Sequence, residues 1–199
     1  MKHLLVYPLL LFVLWGNAQE KLWTESDRQY QLQNLRRTRD LLVKETEGLS
    51  DAQWHFKESA ERWSIAEIVE HLALWEIIFA RETNLALRST PNPALSQASR
   101  PDSSYLTFIM EEKHHQSPGY SRPTGFIKGK DNLTFFLSRN GETLKFVEGT
   151  TADLKAFYEP VGGGVFRNVH QIYLVQWGHI DRHLRQIKKV KEHPGFPKN

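Results

Sequence analysis

The chain has 199 residues, of which 40% are hydrophobic and 25% charged, a composition typical of a soluble globular protein large enough to bury one core. The formal net charge is +3 and the basic residues are dispersed, so nucleic-acid binding is not expected. Cysteine is absent, which excludes disulfides, thiolate ligands and cysteine nucleophiles, so any metal site must use histidine, carboxylate, amide or water.

The first 18 residues are predicted to be a signal peptide. A short basic start precedes an apolar run from Leu4 to Trp15, and Gly16-Asn17-Ala18 supplies the small residues that a signal peptidase requires. A membrane anchor is the alternative, but about a dozen apolar residues interrupted by Pro8 fall short of the ~20 in a spanning helix. We therefore expect cleavage near Ala18, a secreted or periplasmic protein without stable membrane insertion, and a single domain over residues 19–199.

Four long amphipathic helices are predicted, because apolar residues recur at three- and four-residue spacing in four stretches of the chain. The second helix has a clear start, a capping box formed by Ser64 and Glu67. Asn140-Gly141 lies in the middle of the third, where it could break the helix. The four stretches are Trp23–Glu47, Ser64–Leu87, Asp131–Glu148 and the segment from Val165 to Val190.

The connections between these helices differ in length. Residues 49–63 are rich in aromatic side chains and are expected to pack against the ends of the bundle. Residues 89–130 contain a proline-rich loop, a short helix over Tyr105–Lys113 and a second irregular stretch. Gly162-Gly163-Gly164 is predicted to be a flexible joint, and no strand pattern is convincing. The predicted fold is an all-α, up-and-down-type four-helix bundle with one long crossover, which carries the extra short helix and loops between helices 2 and 3.

Three histidines lie on helix faces that should be apolar. His179 and His183 are only about 40° apart around the axis of an α-helix, on a stripe that also contains Gln176. His71 lies on the inward stripe of the second helix. Because a buried imidazole needs a partner, the pattern leaves two explanations: a shared divalent metal, or core histidines satisfied by carbonyl or carboxylate groups.

A metal held by three imidazoles would keep one or more positions open, as in catalytic sites. Gln176 and Gln186, one turn before and after the histidine pair, are candidates to hydrogen-bond the ligands. No side chain is assigned as catalytic: a metal-bound water of lowered pKa is the expected nucleophile, and the alternative is a metal that holds a substrate thiolate. Glu67 is better explained by its capping box. The histidines not assigned as ligands are His114, His115, His170 and His193.

Two motifs carry a resemblance to a known family. They are WSIAEIVEHL at residues 63–72 and GHIDRHLRQI at residues 178–187, followed by HPGFP at 193–197. In these motifs the sequence resembles the DinB/YfiT-like superfamily, over approximately residues 23–197, although residues 89–130 are longer and less family-like. The resemblance implies a four-helix bundle that holds one divalent metal through three histidines. By motif, these ligands are His71, His179 and His183.

The resemblance also implies a range of functions. Characterised members are mostly metal-dependent thiol transferases or isomerases, many others are proposed metal-dependent hydrolases, and dimers are common. We expect a zinc or nickel ion, with iron or manganese as alternatives, an unidentified small-molecule substrate, and a homodimer as one possible assembly. Since the thiol cofactors of such relatives are cytosolic while this chain carries an export signal, hydrolysis is favoured over thiol transfer. The second hypothesis is a non-catalytic bundle that binds a metal or ligand, or whose metal site is structural.

Overall fold

The computed structural model describes residues 21–111, 113 and 115–198, so the predicted signal peptide lies outside the described residues. The helices within this part are α1 Glu25–Thr46, α2 Asp51–His55, α3 Ile65–Leu87, α4 Asp102–Met110, α5 Lys130–Gly149 and α6 Val169–Glu192. Two strands, β1 Tyr158–Gly162 and β2 Val165–Asn168, form a hairpin, and short 3₁₀ turns cover Pro93–Ala98 and Gly119–Ser121. None of these helices combines the length and hydropathy that a membrane-spanning segment requires.

Local capping sets the start of each principal helix that carries a histidine of the candidate site. Before α3, the Ser64 hydroxyl accepts from the Glu67 amide, and the Glu67 carboxylate accepts from the Ser64 amide, which confirms the predicted capping box. Asn168 and Gln171 do the same at α6. The helix α5 continues through Asn140-Gly141 without a break.

The four long helices α1, α3, α5 and α6 form a four-helix bundle, which confirms the predicted fold class. Both α1 and α3 pack on α5 and α6, so α1 and α3 occupy opposite corners of the bundle. Two clusters of buried apolar side chains fill it. One includes Leu35, Phe79 and Ile172, and the other includes Leu42, Ile68, Phe136 and Ile187.

The helix directions follow from contacts between their ends. Asn132, near the start of α5, donates to the Ala66 carbonyl at the start of α3 at 3.2 Å, so these neighbours are parallel. Lys191 at the end of α6 meets Glu45 at the end of α1 at 2.9 Å, so this pair is parallel too. Arg28 near the start of α1 donates to the Val147 carbonyl near the end of α5.

The order along the chain is therefore up-down-down-up, as the predicted single long crossover between helices 2 and 3 requires, and only a strict up-and-down order is ruled out. In an up-and-down bundle, helices that follow one another in the chain pack side by side and antiparallel. Here α3 and α5 are parallel neighbours, so residues 88–129 must return along the bundle before α5 begins. This return is the long crossover, and it contains α4 and both 3₁₀ turns.

A second difference from the sequence prediction is the β-hairpin. Its strands pair antiparallel with Tyr158 opposite Asn168, and α6 begins only at Val169. The glycines at 162, 163 and 164 have φ of 96°, 59° and 75°, values that favour glycine, and the segment predicted as a joint forms the turn between the paired strands. Arg167 ties the hairpin to α3 through Glu82 at 2.8 Å.

The short elements complete the bundle. The predicted aromatic connection at 49–63 contains α2 and does pack against the bundle, since Trp54 is buried in its core. The predicted short helix in the crossover is present as α4, although it begins at Asp102, three residues earlier than expected. It lies against α6, where Ile109 is buried.

Candidate metal centre

The structure brings the three predicted histidines together. His71 projects from the second turn of α3, and His179 and His183 project from the middle of α6. The His179 Nε2 atom lies 3.2 Å from the Nε2 of His71 and 3.1 Å from the Nε2 of His183. The ligand atoms of all three side chains lie within 4.8 Å of one another. His71 and His183 are buried, and His179 is half-buried.

In two of the three rings, a hydrogen bond to the nitrogen that faces away from the cluster fixes the orientation of the ring. The Nδ1 of His71 lies 2.6 Å from the Ser121 carbonyl, and the Nδ1 of His183 lies 2.8 Å from the Gln186 side-chain oxygen. Because an oxygen acceptor needs a proton on its partner, each Nδ1 carries the hydrogen and each Nε2 presents a lone pair. Both lone pairs therefore point toward His179.

The environment keeps these rings neutral. Burial lowers the pKa of His71 to about 4 and that of His183 to about 3. Burial, and then the neighbouring His183 and His71, lower the pKa of His179 well below its ordinary value. A metal ion binds neutral imidazole, so the site does not have to lose protons to accept one near neutral pH.

The donor set fits a divalent ion. His179 has one Nε2, and a single proton there could satisfy only one of the two neighbouring lone pairs. A cation between the three nitrogens satisfies all of them at once. Zinc–nitrogen bonds of about 2.0–2.1 Å at tetrahedral angles separate two ligand nitrogens by about 3.4 Å, close to the 3.1–3.2 Å seen here. The alternative, core histidines satisfied by protein groups, explains the contacts of Nδ1 in His71 and His183 but not the close approach of the three Nε2 atoms.

Aromatic side chains enclose the three rings. The Trp63 ring lies 4.8 Å from the His71 ring, centroid to centroid, and the Trp75 ring lies 5.4 Å from the His179 ring. Tyr120, on the crossover, is exposed, and the centroid of its ring lies 6.3 Å from that of Trp75. These walls limit the water around the histidines and would direct any ligand to the side that they leave open.

Glu70 was not identified from the sequence, although it holds the segment that orients His71. The buried Glu70 carboxylate accepts hydrogen bonds from the Thr124 amide, the Thr124 hydroxyl and the Gly125 amide at 2.7–2.9 Å. These bonds fasten the crossover to α3 directly after Ser121. The Ser121 contact could not be predicted, because a backbone carbonyl 50 residues away in an irregular stretch leaves no sequence signal. Glu70 does precede His71 directly in the motif.

The structure places the other candidates as follows. Gln186 contacts His183, whereas Gln176 lies outside the cluster and donates to Glu76 at 2.8 Å. Glu67 caps α3. His170 is buried elsewhere, against Trp23. Of the remaining histidines, His115 contacts Glu111, His193 contacts the Gly195 amide, and His114 lies outside the described residues.

Comparison with known proteins identifies the family of the bundle. The sequence profile of the DinB superfamily matches residues 34–187, a range that includes all three histidines. The chain belongs to the DinB superfamily. Among solved structures, this DinB chain is similar to YfiT from Bacillus subtilis, described as a probable metal-dependent hydrolase with an unusual four-helix bundle topology. The TM-score is 0.58 at 17% identity, over 87% of this chain and 91% of that one, and this likeness concerns the fold. No curated protein matches the chain significantly.

Proposed function

We propose that this DinB protein is a metal-dependent hydrolase that acts on a small molecule, with one divalent ion held by His71, His179 and His183. The proposal rests on three neutral Nε2 atoms that lie close together: the Nε2 of His179 is 3.2 Å from that of His71 and 3.1 Å from that of His183. A divalent ion at such a site acts as a Lewis acid toward a carbonyl or phosphoryl oxygen and lowers the pKa of water. Zinc and nickel suit a set of imidazoles without thiolates, and iron and manganese are alternatives.

The protein's own groups would prepare the site. Ser121 and Gln186 fix the ring planes of His71 and His183, so that the three nitrogens need little rearrangement on binding a metal. Trp63 and Trp75 reduce the water content of the site, which strengthens electrostatic interactions with a developing negative charge. Three protein ligands leave room for a substrate atom.

Two observations favour hydrolysis over thiol transfer. The signal-like residues 1–18 would export the chain away from cytosolic low-molecular-weight thiols. The similar protein YfiT is described as a probable metal-dependent hydrolase. Thiol-linked transfer remains the second reaction class, with the metal holding a thiolate. The non-catalytic hypothesis is a bundle in which the metal only stabilises the fold or binds a ligand.

The metal is tested first, by elemental analysis of protein purified without an affinity tag. We expect close to one equivalent of a divalent metal in the wild type and none in the His71→Ala/His179→Ala/His183→Ala variant. His55→Ala is a matched control, because His55 lies on α2 and is not among the clustered ligands. An equal metal content in the triple variant would refute the assignment. If that variant loses metal but keeps its helicity and melting temperature, the metal has no bracing role.

Catalysis is tested by screening the metal-loaded protein against ester, amide, phosphate and thiol-conjugate substrates. We expect turnover of at least one of the first three classes, lost in the triple variant and on chelation. Turnover of thiol conjugates alone would support the transferase reading. Inactivity on every class, with metal bound, would favour the non-catalytic bundle.

We also propose that the chain is exported with cleavage near Ala18 and that the mature protein forms a homodimer. The basic start, the apolar run and the small residues before the cleavage position support export. Mass spectrometry of the protein expressed with its native N-terminus should show a mature chain that begins at Gln19, outside the cytoplasm. Light scattering of the mature chain then measures its oligomeric state, and a monomer at all concentrations would refute the dimer.

A further inference from the structure

A carboxylate is buried in the bundle without a cationic partner. Glu76 on α3 is 2% exposed, and no lysine, arginine or histidine of the described residues forms a salt bridge with it. Arg139 on α5, which borders the same cavity as Glu76, pairs instead with Glu142 at 3.1 Å. Since buried glutamates are rarely left without a partner, this position calls for an explanation.

Among the described residues, all hydrogen bonds to the Glu76 side chain end on one of its two carboxylate oxygens. Its Oε2 atom accepts from Gln176 at 2.8 Å and, at 3.4 Å each, from Asn140 and Thr143. The Oε1 atom accepts none from the described residues. Two buried amide oxygens of its neighbours, Asn140 Oδ1 and Gln176 Oε1, also lack a partner, as do the Thr83 hydroxyl and one donor, Arg139 Nε. Three acceptors, counting Glu76 Oε1, thus stand against one unpartnered donor and a hydroxyl that can donate or accept, so the region lacks hydrogen-bond donors.

A cavity of about 230 Å³ adjoins this carboxylate. The polar part of its wall includes Glu76, Thr83, Asn84, Thr143 and Tyr173, and Ile77, Ala80 and Phe146 contribute apolar surface. Arg139 and Glu142 also border it. None of the three clustered histidines lines the cavity, so it is separate from the candidate metal centre.

We propose that this cavity binds a small primary amine as its ammonium ion, with the nitrogen at Glu76 Oε1 and the alkyl part against Phe146 and Tyr173. An ammonium group supplies both the missing positive charge and several N–H donors. A calcium ion is a poorer match, because it takes six to eight oxygen ligands and commonly several carboxylates, whereas this wall provides one interior carboxylate.

Burial also raises the pKa of Glu76 to about 7. Without a ligand, the folded protein can therefore relieve the buried charge by holding a proton. A bound ammonium favours the ionised form instead. Binding is thus best measured at about pH 8, where the carboxylate is mostly ionised and a simple alkylamine is still protonated.

The test is a titration of the protein with propylammonium chloride, followed by thermal unfolding and calorimetry, beside sodium chloride at equal ionic strength. We expect saturable stabilisation with a Kd on the order of millimolar, as suits a ligand of four heavy atoms. Tetramethylammonium, which has the charge but no N–H donor, should bind at least tenfold more weakly. Glu76→Gln should also weaken propylammonium binding at least tenfold, and Thr83→Val several-fold.

Two controls keep the outcomes distinct. Glu47→Gln removes an exposed carboxylate and should leave propylammonium binding unchanged. His179→Ala, which disables the candidate metal centre, should also leave it unchanged, so failure of the proposed function does not affect this result. The proposal is overturned if propylammonium acts no differently from sodium chloride, or if Glu76→Gln binds as the wild type does. Either result would mean that Glu76 is simply neutral and hydrated.

Discussion

At the scale of single residues, the candidate metal centre depends on groups that touch the far nitrogens of its ligands. A histidine whose Nδ1 is fixed by a hydrogen bond presents its Nε2 in one direction and is a better ligand. His71 has a backbone carbonyl in this role, which mutation cannot remove. His183 has the Gln186 side chain, which mutation can remove.

Gln186→Ala is therefore expected to weaken metal binding by roughly 10- to 100-fold, because the His183 ring loses its acceptor. Competition with a chromophoric chelator measures this loss, and circular dichroism should show unchanged helicity. Gln29→Ala, an exposed glutamine on α1, is the matched control and should bind as the wild type does. Equal affinity in the two variants would show that Gln186 has no part in positioning His183.

The sequence identifies the three histidines because each occupies a stripe that should be apolar, on a helix with a strong periodic pattern. It identifies Gln186 by the same helical spacing. Gln176 has that spacing too, yet its side chain turns toward Glu76 on α3. Spacing fixes the direction of a side chain around its own helix, but its partner depends on which residue of the opposite helix lies at the same level: Glu76 for Gln176 and His71 for His179.

At the scale of elements, the crossover acts as a strap that Glu70 fastens to α3. Glu70→Ala removes the acceptor of three hydrogen bonds and leaves two backbone amides, of Thr124 and Gly125, without a partner. We expect faster hydrogen exchange at these two amides. We also expect several-fold weaker metal binding, because the Ser121 carbonyl is no longer held against His71.

Glu70→Gln keeps one side-chain oxygen as an acceptor, so its effects should be smaller than those of Glu70→Ala. Glu47→Ala, at an exposed position, should leave both readouts unchanged. Faster exchange without any loss of metal affinity would show that the strap is structural only. Unchanged exchange would show that these hydrogen bonds do not hold it.

The helix α4 packs on α6 at a position where only glycine fits. A Cβ at Gly178 would lie 2.6 and 2.7 Å from two carbon atoms of Ile109. Arg182 and Arg185 also donate to the Ile109 carbonyl, at 3.0 and 3.2 Å, and thereby satisfy the end of α4. The position of α4 thus depends on contacts from one face of α6.

Gly178→Ala should lower the free energy of unfolding by about 1–3 kcal/mol, since Ile109 must move or α4 must shift. Gly141→Ala is the opposite case in α5, because no atom lies within 4 Å of the added Cβ. It should raise the free energy of unfolding by about 0.5–1 kcal/mol through helix propensity. Chemical denaturation measures both variants, and equal effects would contradict the close approach of α4.

The β-hairpin shows what local patterns miss. Its strands have five and four residues, and Pro160 lies in one of them, so neither gives a clear alternation. Three consecutive glycines suit a flexible joint as well as a turn. The pairing of Tyr158 with Asn168 shows that the segment is a turn. A local sequence pattern does not relate residues so far apart in the chain.

At the scale of the whole molecule, the helical patterns predict the number of long helices and their buried faces, whereas only the predicted long crossover indicates their directions. The inward stripes of α3 and α6 would be buried equally well in an up-and-down or an up-down-down-up bundle. The length of residues 88–129 is the only sequence feature that permits parallel neighbours. Contacts such as that of Asn132 with the Ala66 carbonyl settle the order.

Two sets of groups change the free energy of unfolding in opposite directions as the pH changes. The histidines have lowered pKa values in the folded state, so they reduce the stability of metal-free protein as the pH falls below about 6.5. Glu76 has a raised pKa of about 7 against an ordinary value of 4.5. Its folded form holds a proton more tightly than its unfolded form, so its contribution is complete below pH 4.5 and is lost as the pH rises to about 7.

Comparison of the wild type with Glu76→Gln isolates this contribution, since the histidines act equally in both proteins. In metal-free, amine-free buffer, the free energy of unfolding of Glu76→Gln should rise relative to the wild type by up to roughly 3 kcal/mol between about pH 4.5 and pH 8. Urea denaturation across this range measures the difference. A difference that stays constant with pH would mean that Glu76 titrates normally in the folded bundle, and a difference that shrinks would mean that a cationic group of the protein stabilises its charge.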